Sequence, residues 1–340
     1  MLPDDAPLSN VNPALARAWH PVARTDEVGD EPLAVELLGE PWVLVRLDGA
    51  LRAFADVCPH RRAPLSAGAV MPDGTLQCAY HGWRFGGDGR CRLIPALGAG
   101  VPLPPKAQLR APAALREHAG LVWLAPGPPL TPAPEVLEWA QPDLLVGVLP
   151  SVHARVSAGL MVDNFLDVAH FPFLHAGTFG ADESTELVDD VAVVRTGSGF
   201  TARHEHAFTN REDPGVAAGV RPLVQHRRLT YRYTAPFTIT LRIDYLEAGG
   251  TNVILFAVQP ERADRCRLYT TLLRNDVGPD GMEHAVAFEA SVLAEDLALQ
   301  ERLPQIIPLA PTAEVHTRAD RMTIELRRVL AELVATAERS

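Results

Sequence analysis

Two short segments, Cys58-Pro59-His60 and Cys78-Ala79-Tyr80-His81-Gly82-Trp83, each place a thiol and an imidazole within a few residues of one another, with 17 residues between His60 and Cys78. Two thiolates and two imidazoles can hold a [2Fe-2S] cluster, with both cysteines on one iron and both histidines on the other. The same ligands suit a single tetrahedral zinc. Two features favour iron and sulfide. Each segment supplies one Cys and one His, so like ligands can pair across two turns. Pro59, Pro64, Gly68, Gly82, Gly86 and Gly87 also crowd the ligands, as expected where backbone must approach inorganic sulfide and offer it N–H donors. That these four residues meet only as buried structural Cys and His is the weaker reading.

A second constellation lies in Asn164-Phe165-Leu166-Asp167-Val168-Ala169-His170-Phe171-Pro172-Phe173-Leu174-His175. Asn164, Asp167 and His170 recur every third residue and so share one face of a helix. Pro172 favours a break, after which His175 can swing back beside His170. Two histidines and a carboxylate on three facial positions form the site of non-haem Fe(II) oxygenases, which keeps positions open for O2 and substrate. A lone His among apolar neighbours is usually a hydrogen-bonded core residue. Here two His and an Asp fall among Phe165, Leu166, Phe171, Phe173 and Leu174, where burial without a partner is costly. A third ligand must come from elsewhere. In the helical pattern Met282 to Leu303, Asp296 interrupts an otherwise apolar stripe of Val292, Leu293, Leu299 and Leu303 that also contains Glu289. Iron would give that carboxylate a partner; an Arg at a helix boundary is the plainer alternative.

The elements that must position these residues can be read coarsely. At 340 residues and 47% hydrophobic, the chain can bury a sizeable core, and its length suggests two domains. Trp42 to Leu47 and Leu51 to Val57 read as strands joined by the turn Asp48-Gly49-Ala50. Thr75 to Cys78, Arg90 to Leu93 and Leu121 to Leu124 are further strand candidates, so residues 15–130 form a small all-β domain. Twelve of the 30 prolines fall between Pro95 and Pro150, which reads as connector. Residues 131–340 read as α+β: a helical stretch around Ser157 to Ala169, strands between Val188 and Val258 (Leu229 to Thr234, Thr238 to Tyr245, Val253 to Val258), then helices over Met282 to Leu303 and Thr312 to Glu338. The net charge of −11 (31 basic against 42 acidic residues) argues against nucleic-acid or anionic-membrane partners. Met1 to Asn10 carry two Asp and no apolar segment, no run is long enough to span a bilayer, and four Cys are too few for a disulfide scaffold, so a reducing cytoplasmic setting is expected.

Cys58-Pro-His-Arg-Arg62 and Cys78-Ala-Tyr-His-Gly-Trp83 resemble the Rieske domains of ring-hydroxylating and demethylating oxygenases. The extra disulfide-forming Cys of respiratory Rieske proteins is missing, since Cys91 and Cys266 lie outside the motif. Ala79 stands where these oxygenases usually have Pro, a change that removes turn rigidity but no ligand. The segment from Asn164 to His175 is similar to the Asn-x2-Asp-x2-His-x4-His signature of the same family. The resemblance implies an N-terminal all-β Rieske domain followed by a C-terminal α+β catalytic domain with an antiparallel sheet and flanking helices, helix-grip-like. It implies Cys58, His60, Cys78 and His81 as cluster ligands and His170 and His175 as ligands of a mononuclear Fe(II). The third ligand lies on a C-terminal helix in a segment like Ala294-Glu295-Asp296-Leu297, so Asp296 is expected, with Glu295 as the alternative. Asp167 becomes the carboxylate linking that iron to cluster ligand His81 of a neighbouring subunit in a head-to-tail homotrimer. Asn164 sits near the iron without being a firm ligand.

The same resemblance implies a ferredoxin or flavin reductase bringing electrons from NAD(P)H, entry at the solvent-facing His60 and His81, and O2 used to hydroxylate or demethylate a small organic substrate. Size and single-subunit character resemble the homotrimeric monooxygenase branch. Arg61 and Arg62 either support the hydrogen-bonded shell of the cluster, dock an acidic ferredoxin or remain solvated surface, and Trp83 is expected to pack against the cluster loop. Phe179, Phe200, Phe208, Tyr231, Tyr233, Phe237 and Tyr245 are candidate pocket walls. Two other readings make different predictions: an electron carrier that keeps the cluster without catalytic iron, and a zinc-stabilised binding protein.

Overall fold

The structure, a computed structural model, describes residues 7–98, 100–179, 191–209 and 214–340. Val188, and the part of the leader reading that rests on residues 1–6, lie outside these. The chain divides into two compact units, residues 16–130 and residues 131–340 together with the segment before residue 16.

In the first unit, β-branched and aromatic runs separated by left-handed turns build three small antiparallel sheets. Leu33–Leu37, Glu40–Leu47 and Ala50–Ala55 form one. Its second hairpin closes through Asp48 (φ 51°) and Gly49 (φ 75°), the tight turn that matches strand twist. His20–Arg24, Ala114–His118 and Leu121–Ala125 form another. The Pro-rich connector expected over 95–150 therefore contains a hairpin, because no proline falls between Pro112 and Pro126 to remove ladder donors. The third sheet, Ala69–Val70, Leu76–Gln77, Arg84–Phe85 and Cys91–Leu93, carries the Cys78 loop as the connection between its middle strands. Gly68 lets this sheet close: a Cβ there would fall 1.9 Å from the Gln77 carbonyl oxygen. Val43, Val45, Phe54, Leu65, Leu76 and Phe85 form the core against which Cys58 and Cys78 are buried.

The second unit is an eight-stranded antiparallel sheet. From one edge its strands run Leu145–Val148, Arg265–Arg274, Thr251–Arg262, Thr238–Tyr245, Val224–Thr234, Gly199–Thr209 and Ala192–Arg195, with Val152–Ala154 also paired to Arg265–Arg274. Directly opposed residues in an antiparallel ladder share a face. One face therefore carries the row Phe200, Tyr233, Ile239, Phe256 and Thr270, the row Ala202, Tyr231, Leu241, Ile254, Leu272 and Gly147, and the row His204, Leu229, Ile243, Asn252, Arg274 and Leu145.

The helices are α1 (Ala158–Leu166), α2 (Phe171–Leu174), α3 (Pro214–Ala217), α4 (Pro279–Gln300) and α5 (Arg321–Arg339). Phe165 of α1 stacks on Phe256, at 4.8 Å between centroids. Gly147 makes room for α4, since a Cβ there would meet Met282 Sδ at 2.3 Å. Arg195, opposite Phe200, pairs with Glu325 and Glu332 of α5. Helices thus lie on one face of an antiparallel sheet, as the α+β expectation held. Ala158 N–H at the start of α1 donates to Asn10 Oδ1 (2.8 Å), so the N-terminal segment satisfies a helix end.

Two local expectations fail. The helix expected through Ala169 stops at Leu166; Asp167 takes extended angles (φ −86°, ψ 113°) and its Oδ1 accepts from Ala169 N–H. Asn164, Asp167 and His170 therefore do not share one helical face, because the Asp side chain offers the backbone a competing turn. Pro172 does not break a helix either. It sits in the first turn of α2, where a missing N–H costs nothing.

Arg327 of α5 is 3% exposed and grips both carboxylate oxygens of Asp163 on α1, with Glu314 also on its Nη2. This pair ties α5 to the helix that delivers Asn164. Arg327→Ala should lower unfolding free energy by about 3–5 kcal/mol, because it leaves a buried carboxylate unpaired; chemical denaturation of the full chain reads this.

Candidate functional site

The cysteine loops are local copies of each other. Cys58 N–H donates to Ala63 O (2.9 Å) and Arg62 N–H to Cys58 O (3.0 Å); Cys78 N–H donates to Trp83 O (2.8 Å) and Gly82 N–H to Cys78 O (3.1 Å). In each loop the residue four after the cysteine is left-handed, Arg62 at φ 61° and Gly82 at φ 68°. Those bonds bring both thiols to the same place: burial pushes the Cys58 thiol up to about 11, against backbone N–H donation from His60 and Arg61, while Cys78 contacts it directly. The imidazoles of His60 and His81 meet edge to face at 4.3 Å. Trp83 stacks on His60 (4.6 Å, 7°), as its expected packing role requires. Among the described residues His60 Nδ1 is buried without a hydrogen-bond partner, while His81 is exposed. Two paired thiols and two converging imidazoles, one with an orphaned ring nitrogen, fit a cluster held at Cys58, His60, Cys78 and His81. Arg61 and Arg62 are exposed.

In the second unit, His170 caps the start of α2, His175 caps its end, and Asp296 comes from α4. One turn of α2 brings His170 Nε2 within 3.2 Å of His175 Nε2. Asp296 Oδ1 stands 3.5 Å from the first and 3.3 Å from the second. These three residues offer ligand atoms that all lie within 4.8 Å of one another. Glu295 points elsewhere: its Oε2 accepts from His175 Nδ1 at 2.8 Å and from Thr178 Oγ1 at 3.0 Å. That bond holds a proton on His175 Nδ1 and leaves Nε2 facing Asp296.

The charges at this centre are unbalanced. Burial opposes a charged His170, but the Asp167 and Asp296 carboxylates outweigh it and lift its pKa to about 9. Burial likewise opposes ionised Asp296, yet His170, His175 and Asn164 hold it at about 2. Among the described residues Asp296 Oδ1 has no hydrogen bond of good geometry, nor has His170 Nδ1, whose neighbour Asp167 Oδ2 is 3.5 Å away. Two imidazole nitrogens and a carboxylate oxygen thus aim at one point and attract a proton there. The same field attracts a divalent cation, and this donor set fits iron.

Around this point the fold supplies partners that spacing alone did not reveal. Gln300, one turn beyond Asp296, donates to Asn164 Oδ1 at 2.8 Å and leaves the Asn164 amide N–H for Asp296. Asn164 is therefore a partner of Asp296. Phe179 stacks on His175, at 5.0 Å between centroids, and also contacts Phe171 and Phe288. Phe200, Tyr231 and Tyr233 lie in the helix-facing rows, with Tyr245 and Phe208 further along the same face. Phe237 is buried in the loop before Thr238–Tyr245. The expected α4 stripe is corrected past Asp296: Leu299 and Leu303 are exposed, and the buried line runs on to Gln300.

A cluster fold in one chain with a two-histidine, one-carboxylate centre on a helix-covered sheet defines an oxidoreductase that delivers electrons to a mononuclear metal. Residues 18–110 match the Rieske [2Fe-2S] domain, and residues 154–336 match the vanillate O-demethylase oxygenase C-terminal domain. The chain is 31% identical to the methylxanthine N3-demethylase NdmB of Pseudomonas putida, over 97% of its own length and 93% of that protein. It is 26% identical to the vanillate O-demethylase oxygenase subunit of a Pseudomonas strain, over 94% and 95% of the two chains. The solved structure of Pseudomonas putida NdmA with caffeine superposes with a TM-score of 0.83 at 27% identity, covering 97% of this chain and 94% of the other. This chain belongs to the Rieske non-haem iron oxygenase family. As a member it carries a [2Fe-2S] cluster and a mononuclear iron, receives electrons from a reductase or ferredoxin, and uses O2 to oxidise a small organic molecule. The zinc-stabilised reading falls away. No described helix is long and apolar enough to cross a membrane.

The paired loops yield opposite expectations for equivalent positions. Gly82→Ala forces a left-handed side chain whose Cβ would lie 3.2 Å from Pro95 Cγ, and should cost about 1–2 kcal/mol. Arg62→Gly relieves the same strain and should leave stability unchanged or slightly raised. The thermal midpoint for loss of the cluster's visible absorption measures both.

Proposed function

We propose that this chain is the oxygenase component of an O- or N-demethylating monooxygenase system. In this reading, residues 15–130 hold the [2Fe-2S] cluster through Cys58, His60, Cys78 and His81. Residues 131–340 hold the iron through His170, His175 and Asp296, with Glu295 orienting His175 rather than ligating. The observation that carries it is the convergence of His170 Nε2, His175 Nε2 and the unpartnered Asp296 Oδ1 within 4.8 Å. When bound there, iron supplies a redox-active Lewis acid with open positions for O2.

The residues do the remainder. Glu295 and Thr178 fix the His175 tautomer, Gln300 and Asn164 hold the Asp296 carboxylate, and Phe179 walls the imidazole from water. The aromatic and aliphatic rows of the sheet suit a flat methylated ring, consistent with relatives named for methylxanthine and vanillate demethylation. The overall change balances: a methyl ether, O2, two electrons and two protons give the hydroxyl compound, formaldehyde and water. Asp167 is proposed as the bridge to His81 of a neighbouring copy in a head-to-tail homotrimer. Its side chain is 34% exposed next to His170, and His81 is exposed; a heterologous ring presents those two surfaces to each other. All four cysteines are free, in keeping with a reducing cytoplasm.

Iron and sulfide analysis of the purified chain should give about three Fe and two sulfides. His170→Ala should lose one Fe and all formaldehyde release from methylated aromatics while keeping the cluster spectrum. Two Fe in the parent chain would instead make it an electron carrier, and turnover by the variant would refute the ligand assignment.

A further inference from the structure

On α4 the residues Met282, Val286, Glu289 and Asp296 follow helical spacing along one face, and Met282 and Val286 pack at Gly147 of the sheet. Glu289 is thus directed between the helix and the sheet, two turns before the metal-centre carboxylate. Among the described residues it makes no hydrogen bond and no ion pair. Its electrostatic neighbours are Arg274, Asp296 and His175, and burial together with Asp296 pushes its carboxyl up to about 7 despite Arg274.

Arg274 offsets its charge only in part. Its Nε and Nη2 donate to the two carboxylate oxygens of Asp276, at 2.9 and 2.6 Å, so that pair is already neutral. Directly opposite Arg274 in the ladder, and on the same helix-facing row, stands Asn252. It is 6% exposed, and its Oδ1 is buried with no hydrogen-bond partner among the described residues. Two acceptors, a buried amide oxygen on the sheet and a half-buried carboxylate on the helix, are therefore held without donors among the described residues in the layer that ends at His175 and Asp296. An acceptor held this way in a largely apolar layer is costly unless something brings the donor.

Resting on the oxygenase reading above, we propose that Asn252 and Glu289 form the polar end of the substrate site and that the substrate presents them a hydrogen-bond-donating nitrogen, distal to the methyl group that is oxidised. A carboxylate here selects against anionic ring substrates, because Arg274 is committed to Asp276. Specificity then arises from what the pocket leaves unpaired when the wrong molecule enters.

The test is anaerobic calorimetric titration of the iron-loaded full chain with four ring probes: para-methoxybenzylamine, para-methoxybenzamide, para-methoxybenzoate and para-methoxytoluene. The amine and the amide should bind at least about tenfold tighter than the benzoate, and their ranking tells a cationic from a neutral N–H donor. Glu289→Gln should weaken the amine about tenfold and leave the toluene unchanged. Asn252→Leu should weaken amine and amide alike. Benzoate binding as well as the amine, an amine affinity indifferent to Glu289→Gln, or no probe binding at all would overturn the proposal. The oxygenase reading fails separately, through a missing third iron or absent formaldehyde.

Discussion

Two imidazole nitrogens and a carboxylate oxygen aimed at one point, the nitrogens 3.2 Å apart, cannot share that point without a positive charge between them. Much of the second unit can be understood as the structure needed to hold that arrangement. His170 and His175 are fixed by the single turn of α2, and Asp296 is carried in on α4, 121 residues after His175. Glu295 takes the outer nitrogen of His175, which leaves the inner nitrogen facing Asp296. Gln300 takes the oxygen of Asn164, which turns the amide N–H toward Asp296.

Each of these ties draws on a larger element. α1, which carries Asn164, is clamped to α5 by the buried Arg327 and Asp163 pair and closed at its start by Asn10. α4 seats on the sheet where Gly147 gives way to Met282. The sheet continues the layer toward Asn252 and Glu289, where acceptors lack donors. Strong mutual attraction at the metal centre and unmet hydrogen bonding beyond it are the two observations on which the proposed division of the layer rests, one end for iron and one for recognition.

The cluster loops were legible because their chemistry is local: ligands, prolines and glycines lie within a few residues of one another. The hairpin at Asp48-Gly49 and the strand Thr238–Tyr245 were legible for the same reason. Asp296 showed as a charged residue breaking an apolar stripe, but choosing it over Glu295 needed the distances, since adjacent helix positions differ only in direction. The helix expected through Ala169 failed because spacing of three is shared by a helix and by a helix that ends in an Asp turn. Gln300, Thr178 and Asn252 gave no signal; their roles depend on partners more than 20 residues away or on a hydrogen bond that is missing, and neither is written in a local pattern. The Arg62 and Gly82 equivalence was also hidden, since one left-handed position holds Gly and the other does not.

The central claim is that His170, His175 and Asp296 bind one iron while Cys58, His60, Cys78 and His81 bind two. Anomalous diffraction from crystals of the iron-loaded chain, recorded on either side of the iron edge, tests it most directly. A single isolated peak ligated by His170 Nε2, His175 Nε2 and Asp296 is expected, with a close pair of peaks between the two cysteine loops. An isolated peak ligated by Glu295 in place of Asp296, or density for the pair alone, would contradict it.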